Sequence, residues 1–489
     1  MSINPTKLRP VPVLWLALVA APLLAGCAGE RATRETERPN FNRSVPTTAV
    51  VSSAGIQLTA SEVLESQEPE AKQLPRSVPV ANPDGPASNE NPFASQKELA
   101  VTQVIRTVLE RNPTIEQMRA TATAAQARYP QAISLDDPLF GYATAPGTMG
   151  TSNIGYAGRA ELSQKFPYPG KRYLRGQIVQ REANAAVQDV DDVRLQLIEA
   201  TWSAYADYFL TERALALNEE NLKRARELRQ NAATRVKNAQ APQQDILQAD
   251  VEIARLQERT VILERARKVA QARLNTLMHY PPDAFLPAPH KGAAQLAIPP
   301  AQDLRARALL VRPDVRALAE RIASDEAAVA LAQREYKPDV ELLGAYDSFW
   351  QGSDRAMQWQ VGARINLPVR LARRSGAVLE TQAAVAARRA ELSRLSDQIG
   401  LLVQEAYELV QENIKVLSLY EKTVIPAAEA NIKEAITSYT TGKVPFVTLV
   451  EAQRNLIILK DRHAEVLAES LRRKAALERA VGGPIDDKE

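Results

Sequence analysis

Between Met357 and Leu367 apolar and polar residues alternate without a slip. Met357, Trp359, Val361, Ala363, Ile365 and Leu367 take one parity, and Gln358, Gln360, Gly362, Arg364 and Asn366 the other. Period two predicts a strand with one apolar and one polar face. The pattern occurs earlier as well, with Ile154, Tyr156, Ala160, Leu162 and Phe166 against Arg159, Glu161, Ser163 and Lys165. Less regular partner strands are expected near 133–143 and 338–347. Such strands suit a transmembrane barrel, apolar to lipid and polar to a lumen, or a soluble sandwich. The sandwich is the weaker reading. Each region supplies a single hairpin, which is marginal in water, and an open edge inside lipid is costly. Four strands cannot close a barrel, so several copies are expected to share one.

Much longer patterns flank the strands. Residues 177–241 and 243–280 contain neither glycine nor proline. Only Gly400 and Pro426 interrupt 377–441, and 446–481 is free of both. As one helix the first stretch would run about 100 Å. Ile246, Ala249, Ile253, Leu256 and Leu263 follow 3-4 spacing, as do Leu449, Ala452, Leu456, Leu459 and Val466. That spacing predicts a coiled-coil seam, with the intervening Glu, Arg, Gln and Lys as solvated faces. Shorter helices are expected at 97–111 and 114–128 around Asn112-Pro113, and at 301–311 and 314–335 around Arg312-Pro313.

Everything after about residue 95 is written twice. Asn112-Pro113 returns as Arg312-Pro313, Phe166-Pro167 as Leu367-Pro368, Ala204-Tyr205 as Ala406-Tyr407, and Pro242 as Pro445. Ala249 returns as Ala452, and Pro281 and Asp283 as Pro484 and Asp486, the offset drifting only from 200 to 203. Ordered matches at so steady an offset mark a tandem duplication of a unit far longer than a solenoid repeat. The first repeat spans 96–295, with strands at about 133–168 and a helical hairpin at about 171–280. The second spans 296–489, with strands at about 337–368 and a hairpin at about 372–482. The expected fold is mainly α with a β-barrel part.

The N-terminus reads as an address. Lys7 and Arg9 precede an apolar run, Val11 to Leu24, broken by Pro12 and Pro22, and then Leu24-Ala25-Gly26-Cys27. The run is too short for a good transmembrane helix and reads as the core of a secretory signal, residues 1–26. Small residues before a cysteine fit a lipobox, so Cys27 is the candidate lipid anchor; a buried cysteine after an ordinary signal is the alternative. Alanine at position 28, where aspartate favours inner-membrane retention of lipoproteins, points to the outer membrane. Residues 27–95 are rich in Pro, Ser, Glu, Asn and Thr and read as a flexible tether.

Composition and chemistry narrow the function. The 61 Lys and Arg nearly balance 58 Asp and Glu, which gives no electrostatic case for nucleic acid. One cysteine excludes an intrachain disulfide and a cysteine-cluster metal site. The three histidines, His279, His290 and His463, lack a partner ligand at helical spacing, so no metal site is expected. Gly-x-Ser-x-Gly, Gly-x-x-x-x-Gly-Lys-Ser/Thr and His-Glu-x-x-His are all absent, and no enzyme activity or cofactor beyond a lipid on Cys27 is expected.

Three local motifs lie in the same order as in a known family. Phe166-Pro167-Tyr168-Pro169-Gly170-Lys171-Arg172 resembles the Pro-Gly-Lys-Arg turn of the TolC family of outer-membrane efflux proteins, in its CzcC-like heavy-metal branch. Tyr336-Lys337-Pro338-Asp339 resembles that family's lead-in to its third strand, and Tyr439-x-x-Gly442 with Leu449-Val450-Glu451-Ala452-Gln453-Arg454 its second hairpin turn. The second half departs from Pro-Gly-Lys-Arg at Pro368-Val369-Arg370-Leu371. The resemblance implies a homotrimer with a shared twelve-stranded outer-membrane barrel on a helical periplasmic tunnel. It implies a passive exit duct served by a periplasmic adaptor and an inner-membrane RND-type pump, with heavy-metal cations as cargo. A type I protein-secretion outlet and a non-pore coiled-coil envelope lipoprotein are the competing readings. By resemblance Glu451 lines a constriction at the periplasmic tip, with Thr448 where the family often has a second acid. A solvated surface glutamate is the plain alternative for Glu451. By resemblance also, Tyr439 and Asp245 bond between the two hairpins and hold the tip closed; Asp245 serves equally as a helix-start residue after Pro242.

Overall fold

A computed structural model describes residues 93, 96–148, 157–290, 298–348 and 358–485. The signal, Cys27, most of the tether, Ile154, Tyr156, Met357 and Asp486 lie outside these residues. The first half runs α1 (Val101–Arg111), α2 (Pro113–Gln126), α3 (Arg128–Ile133), β1 (Leu139–Thr144), β2 (Gly158–Phe166), α4 (Lys171–Lys237) and α5 (Gln244–Leu277). The second runs α6 (Ala301–Val311), α7 (Pro313–Arg334), β3 (Val340–Asp347), β4 (Trp359–Ile365), α8 (Leu371–Leu419), a π turn (Tyr420–Val424), α9 (Ile425–Thr440) and α10 (Phe446–Val481). None of the described helices is long and apolar enough to cross a membrane.

Some boundaries differ from expectation for local reasons. Residues 128–133 are helical, because Pro130 sits in the first turn of α3, where its missing N–H costs nothing. The strand begins only after Asp136-Asp137-Pro138. Gly400 does not interrupt α8; its cost of about 1 kcal/mol is absorbed by a 49-residue helix.

Each half builds a core at its repeat-equivalent positions. In the first, Val104 and Val108 of α1 pack with Tyr205 and Tyr208 of α4 and with Leu274 and Met278 at the end of α5. In the second, Leu304 and Ala308 of α6 pack with Tyr407 and Val410 of α8 and with Leu477 and Val481 of α10. The residue before each early proline then caps a helix end. Asn112 Nδ2 donates to Leu277 O at 2.9 Å, and Arg312 Nη1 donates to Ala480 O at 2.9 Å. Both bonds satisfy carbonyls that a helix C-terminus leaves unpaired.

The strands form one antiparallel sheet in the order β1-β2-β3-β4. The middle pair, β2 with β3, joins the two halves, with Phe166 opposite Val340 and Leu162 opposite Gly344. At the far end of the hairpins a third core joins the halves again. Ala232 of α4 and Ala249 of α5 pack with Ile432, Ala435 and Tyr439 of α9 and with Phe446 and Leu449 of α10.

Candidate functional site

The sheet has two chemically distinct faces. Phe140, Tyr142, Leu162, Phe166, Val340, Leu342, Tyr346, Trp359, Val361 and Ile365 share one, and all are exposed within the chain, Val361 at 94%. Uncovered apolar area of this extent needs an apolar neighbour. The opposite face carries a charge lattice. Arg159 meets Glu161 at 2.8 Å and Asp347 at 3.8 Å, and Arg364 lies between Glu341 at 3.1 Å and Glu161 at 3.4 Å. Among the described residues β1 and β4 each have a strand partner on one side only, so the sheet ends there in two open edges.

Where sheet meets helices, Lys171 is wholly buried. Its ammonium donates to Asp339 Oδ1 at 2.9 Å, to Lys337 O at 3.0 Å and to Glu335 Oε2 at 3.1 Å. Three donors meet three acceptors, which is what makes a buried lysine tolerable. Asp339 Oδ1 also accepts from the Tyr168 N–H at 2.8 Å, so one carboxylate ties the start of β3 to the turn after β2. The turn needs a glycine. Gly170 sits at φ +91°, and a Cβ there would lie 1.6 Å from Arg334 Nη1, which donates to Pro169 O at 2.8 Å.

The hairpin tip brings two expected residues together. Tyr439 Oη donates to Asp245 Oδ2 at 2.9 Å, linking the C-terminal end of α9 to the first turn of α5. Both are buried, at 4% and 7% exposure. A phenol donating to a carboxylate is a charge-assisted bond. Burial first, and then donation to Asp245, pushes the Tyr439 hydroxyl up to about 12, with Arg235 acting in the opposite direction. Arg235 of α4 lies over the Tyr439 ring, 4.5 Å from its centroid, and also donates to the Tyr439 carbonyl. Phe446 packs edge-on at 5.3 Å. Sequence reasoning missed Arg235 and Phe446. Both sit within a few residues of the hairpin breaks, but on helices that meet only in three dimensions.

Thr448 and Glu451 stand on the exposed side of α10 with Asn455 and Ile458, at 3-4 spacing, opposite the buried Leu449, Val450, Gln453 and Leu456. Neither side chain makes a hydrogen bond among the described residues. One turn away, Arg454 donates to Glu252 of α5 and crosses between the hairpins. The histidines are scattered: His279 ends α5 at φ 57°, His290 Nδ1 is 2.6 Å from Glu98, and His463 stacks on Tyr420 at 6.4 Å. Among the described residues no three His, Cys, Asp or Glu side chains converge as metal ligands would.

Solved structures share this fold. The outer-membrane channel OprN superposes with a TM-score of 0.65 over 78% of this chain and 90% of its own, at 21% identity. VceC, an outer membrane protein of Vibrio cholerae, gives 0.65 over 79% and 97%, at 18% identity. The fold is that of these outer-membrane channels. Residues 304–483 of this channel fold match the family model described as "Outer membrane efflux protein". Nodulation protein T of Rhizobium leguminosarum bv. trifolii is 23% identical over 406 residues, which is 78% of this chain and 85% of that protein.

Proposed function

We propose that this chain is the outer-membrane exit duct of a tripartite efflux assembly. The observation that carries the reading is the two-faced sheet with open edges, set on helices about 100 Å long. Three copies joined edge to edge would turn the exposed apolar face to lipid and the charge lattice to a lumen. Lipid on Cys27 would hold the N-terminus at the same membrane. An inner-membrane pump and a periplasmic adaptor supply energy and cargo, since nothing in the sheet or tip has the makings of catalysis. The turn at Pro169-Gly170-Lys171-Arg172 supports the heavy-metal branch, with an RND-type pump and metal cations as cargo.

At the tip, Tyr439 and Asp245 act as a lock on the resting state, and Glu451 with Thr448 lines the constriction. Three copies of Glu451 about an axis would form a carboxylate ring, a usual device for preferring cations. The test is conductance of the purified protein in planar bilayers alongside its mass in detergent. Discrete steps from a trimer are expected. A trimer without conductance, or a monomer with it, overturns the reading. Cys27→Ser should abolish acyl labelling and outer-membrane fractionation; retained label would place the anchor elsewhere.

A further inference from the structure

The duplication allows the contact between copies to be read from the contact within one. In the chain, β2 of the first half pairs with β3 of the second. The open edges β4 and β1 are the repeat counterparts of β2 and β3. Phe166-Pro167 returns as Leu367-Pro368, so Leu162 corresponds to Ala363. Phe140 faces Leu162 and Leu342 faces Ala363, so β1 corresponds to β3 with Phe140 matching Leu342. Transferring the β2–β3 register then sets Ala363 opposite Tyr142, Val361 opposite Thr144 and Ile365 opposite Phe140 of the next copy. These residues all belong to the apolar face. A register wrong by one would have set Arg364 against Phe140 or Tyr142, so parity is a check on the transfer.

The same transfer applies to the buried lysine. Arg172 Nε donates to Ile133 O at 2.6 Å, and Arg374 Nε donates to Glu335 O at 2.8 Å. Donors and acceptors are both 202 residues apart, which fixes the correspondence at this junction. One residue earlier, Lys171 corresponds to Arg373. At the same offset, Asp339 corresponds to Asp137. Lys171 and Asp339 are bonded within the chain at 2.9 Å. Arg373 and Asp137 are both exposed, and neither has an ion-pair partner among the described residues. Within one chain they belong to opposite ends of the sheet; edge-to-edge assembly would bring them together.

We infer that Arg373 of one copy binds Asp137 of the next, closing a β4–β1 seam in which Ile365 faces Phe140. The inference rests on the trimeric channel reading above and adds its register and its ion pair. Arginine suits this site better than lysine would. The counterpart of Glu335 is Ile133, so one acid is missing, and a guanidinium fork can engage a single carboxylate through two donors.

Charge reversal and cysteine pairing test the seam. Arg373→Asp and Asp137→Arg should each lower the trimer fraction in detergent about tenfold or more, and the double reversal should restore it. Independently, Phe140→Cys combined with Ile365→Cys should give oxidised dimers and trimers, because residues directly opposite in an antiparallel pair lie within disulfide reach. Either cysteine alone should give no ladder through the seam, and Tyr142→Cys with Ile365→Cys should cross-link far less. A wild-type trimer in which the double reversal fails to recover and Phe140→Cys/Ile365→Cys stays uncross-linked overturns the register while leaving the channel reading intact. A monomeric wild type overturns both.

Discussion

The two long arms of the molecule descend from one duplicated unit but are not alike. In the first half α4 runs 67 residues without a break. In the second, the same span is divided among the 49 residues of α8, a five-residue π turn and the 16 residues of α9. Tyr208 and Val410, before the turn, are buried counterparts 202 apart. Ala232 and Ala435, after it, are buried counterparts 203 apart. The second arm therefore carries one extra residue, and a π turn is how a helix holds an extra residue without turning its buried face outward. Pro426 follows in the first turn of α9, directly beside the widened turn, where the i→i−4 ladder is already interrupted. The faces of the helices, rather than their hydrogen-bond ladder, were kept through the duplication.

The largest expected effect comes from deleting a residue where there is none to spare. Deleting Glu219 from the unbroken α4 should rotate the rest of that arm by about 100°, whereas deleting Thr423 should close the π turn to α and leave the faces of α9 in place. The α4 deletion would carry Ala232 out of the tip core, at a cost of about 3 kcal/mol or more, seen as a lowered melting midpoint by circular dichroism, and the Thr423 deletion should cost less than about 1 kcal/mol. Pro426→Ala should leave the turn in place and shift stability by less than about 1 kcal/mol. If deleting Thr423 is as damaging as deleting Glu219, the π turn is not what holds the extra residue.

Next comes the sheet–helix junction, where among the described residues only the first half holds a buried cation. Lys171→Met keeps most of the volume but leaves Asp339 only the half-exposed Lys165 ammonium at 4.0 Å. A loss of about 3 kcal/mol is expected, measured by thermal unfolding. Lys171→Met with Asp339→Asn should recover part of it, since the orphaned charge is then gone.

The arms are joined at the tip by Tyr439 and Asp245, and that bond should tune opening more than folding. Tyr439→Phe and Asp245→Ala should each raise bilayer conductance, each removing a charge-assisted bond of about 1.5–3 kcal/mol per copy. The double variant should add little, because both changes delete one interaction. Alkali gives the same result by titration. The folded hydroxyl is raised from 10.0 to about 12, so the bond's contribution is whole below pH 10 and is lost as pH rises through about 12. Tyr439→Phe should lack that component of the pH–stability profile.

The smallest effect concerns selectivity. Gln248 is the first hairpin's counterpart of Glu451, so Glu451→Gln makes the two hairpins alike. It should lower cation preference, read from the reversal potential in a salt gradient, with opening unchanged. An unaltered reversal potential would mark Glu451 as an ordinary solvated residue.

Much of this was readable from periodicity. The parity of Trp359, Val361, Ala363 and Ile365 against Gln360, Gly362 and Arg364 is enough to assign the faces of β4. The duplication was visible in its paired prolines, and its drifting offset already contained the extra residue, though not its place. That place depends on which turn of α8 and α9 can widen against Tyr420 and His463, a matter of packing. Lys171 stood in a noted motif, yet its burial could not be foreseen. Lysines are ordinarily solvated, and its partners Glu335, Lys337 and Asp339 come from the other half of the chain. Arg235 escaped notice for the same reason, since its ring partner Tyr439 belongs to the second hairpin.

The length of α4 makes the molecule a lever. Pivoting at the sheet, an arm of about 100 Å moves its tip about 10 Å for a swing of only 6° or so. The Tyr439–Asp245 bond sits near the moving end, where slack of about 0.5 Å permits about 0.3° of rotation at the base. A contact so placed needs little strength to hold the pivot still. A partner that pulled on the tip would work with the longest moment arm the chain provides, whereas one gripping near the sheet would need many times the force.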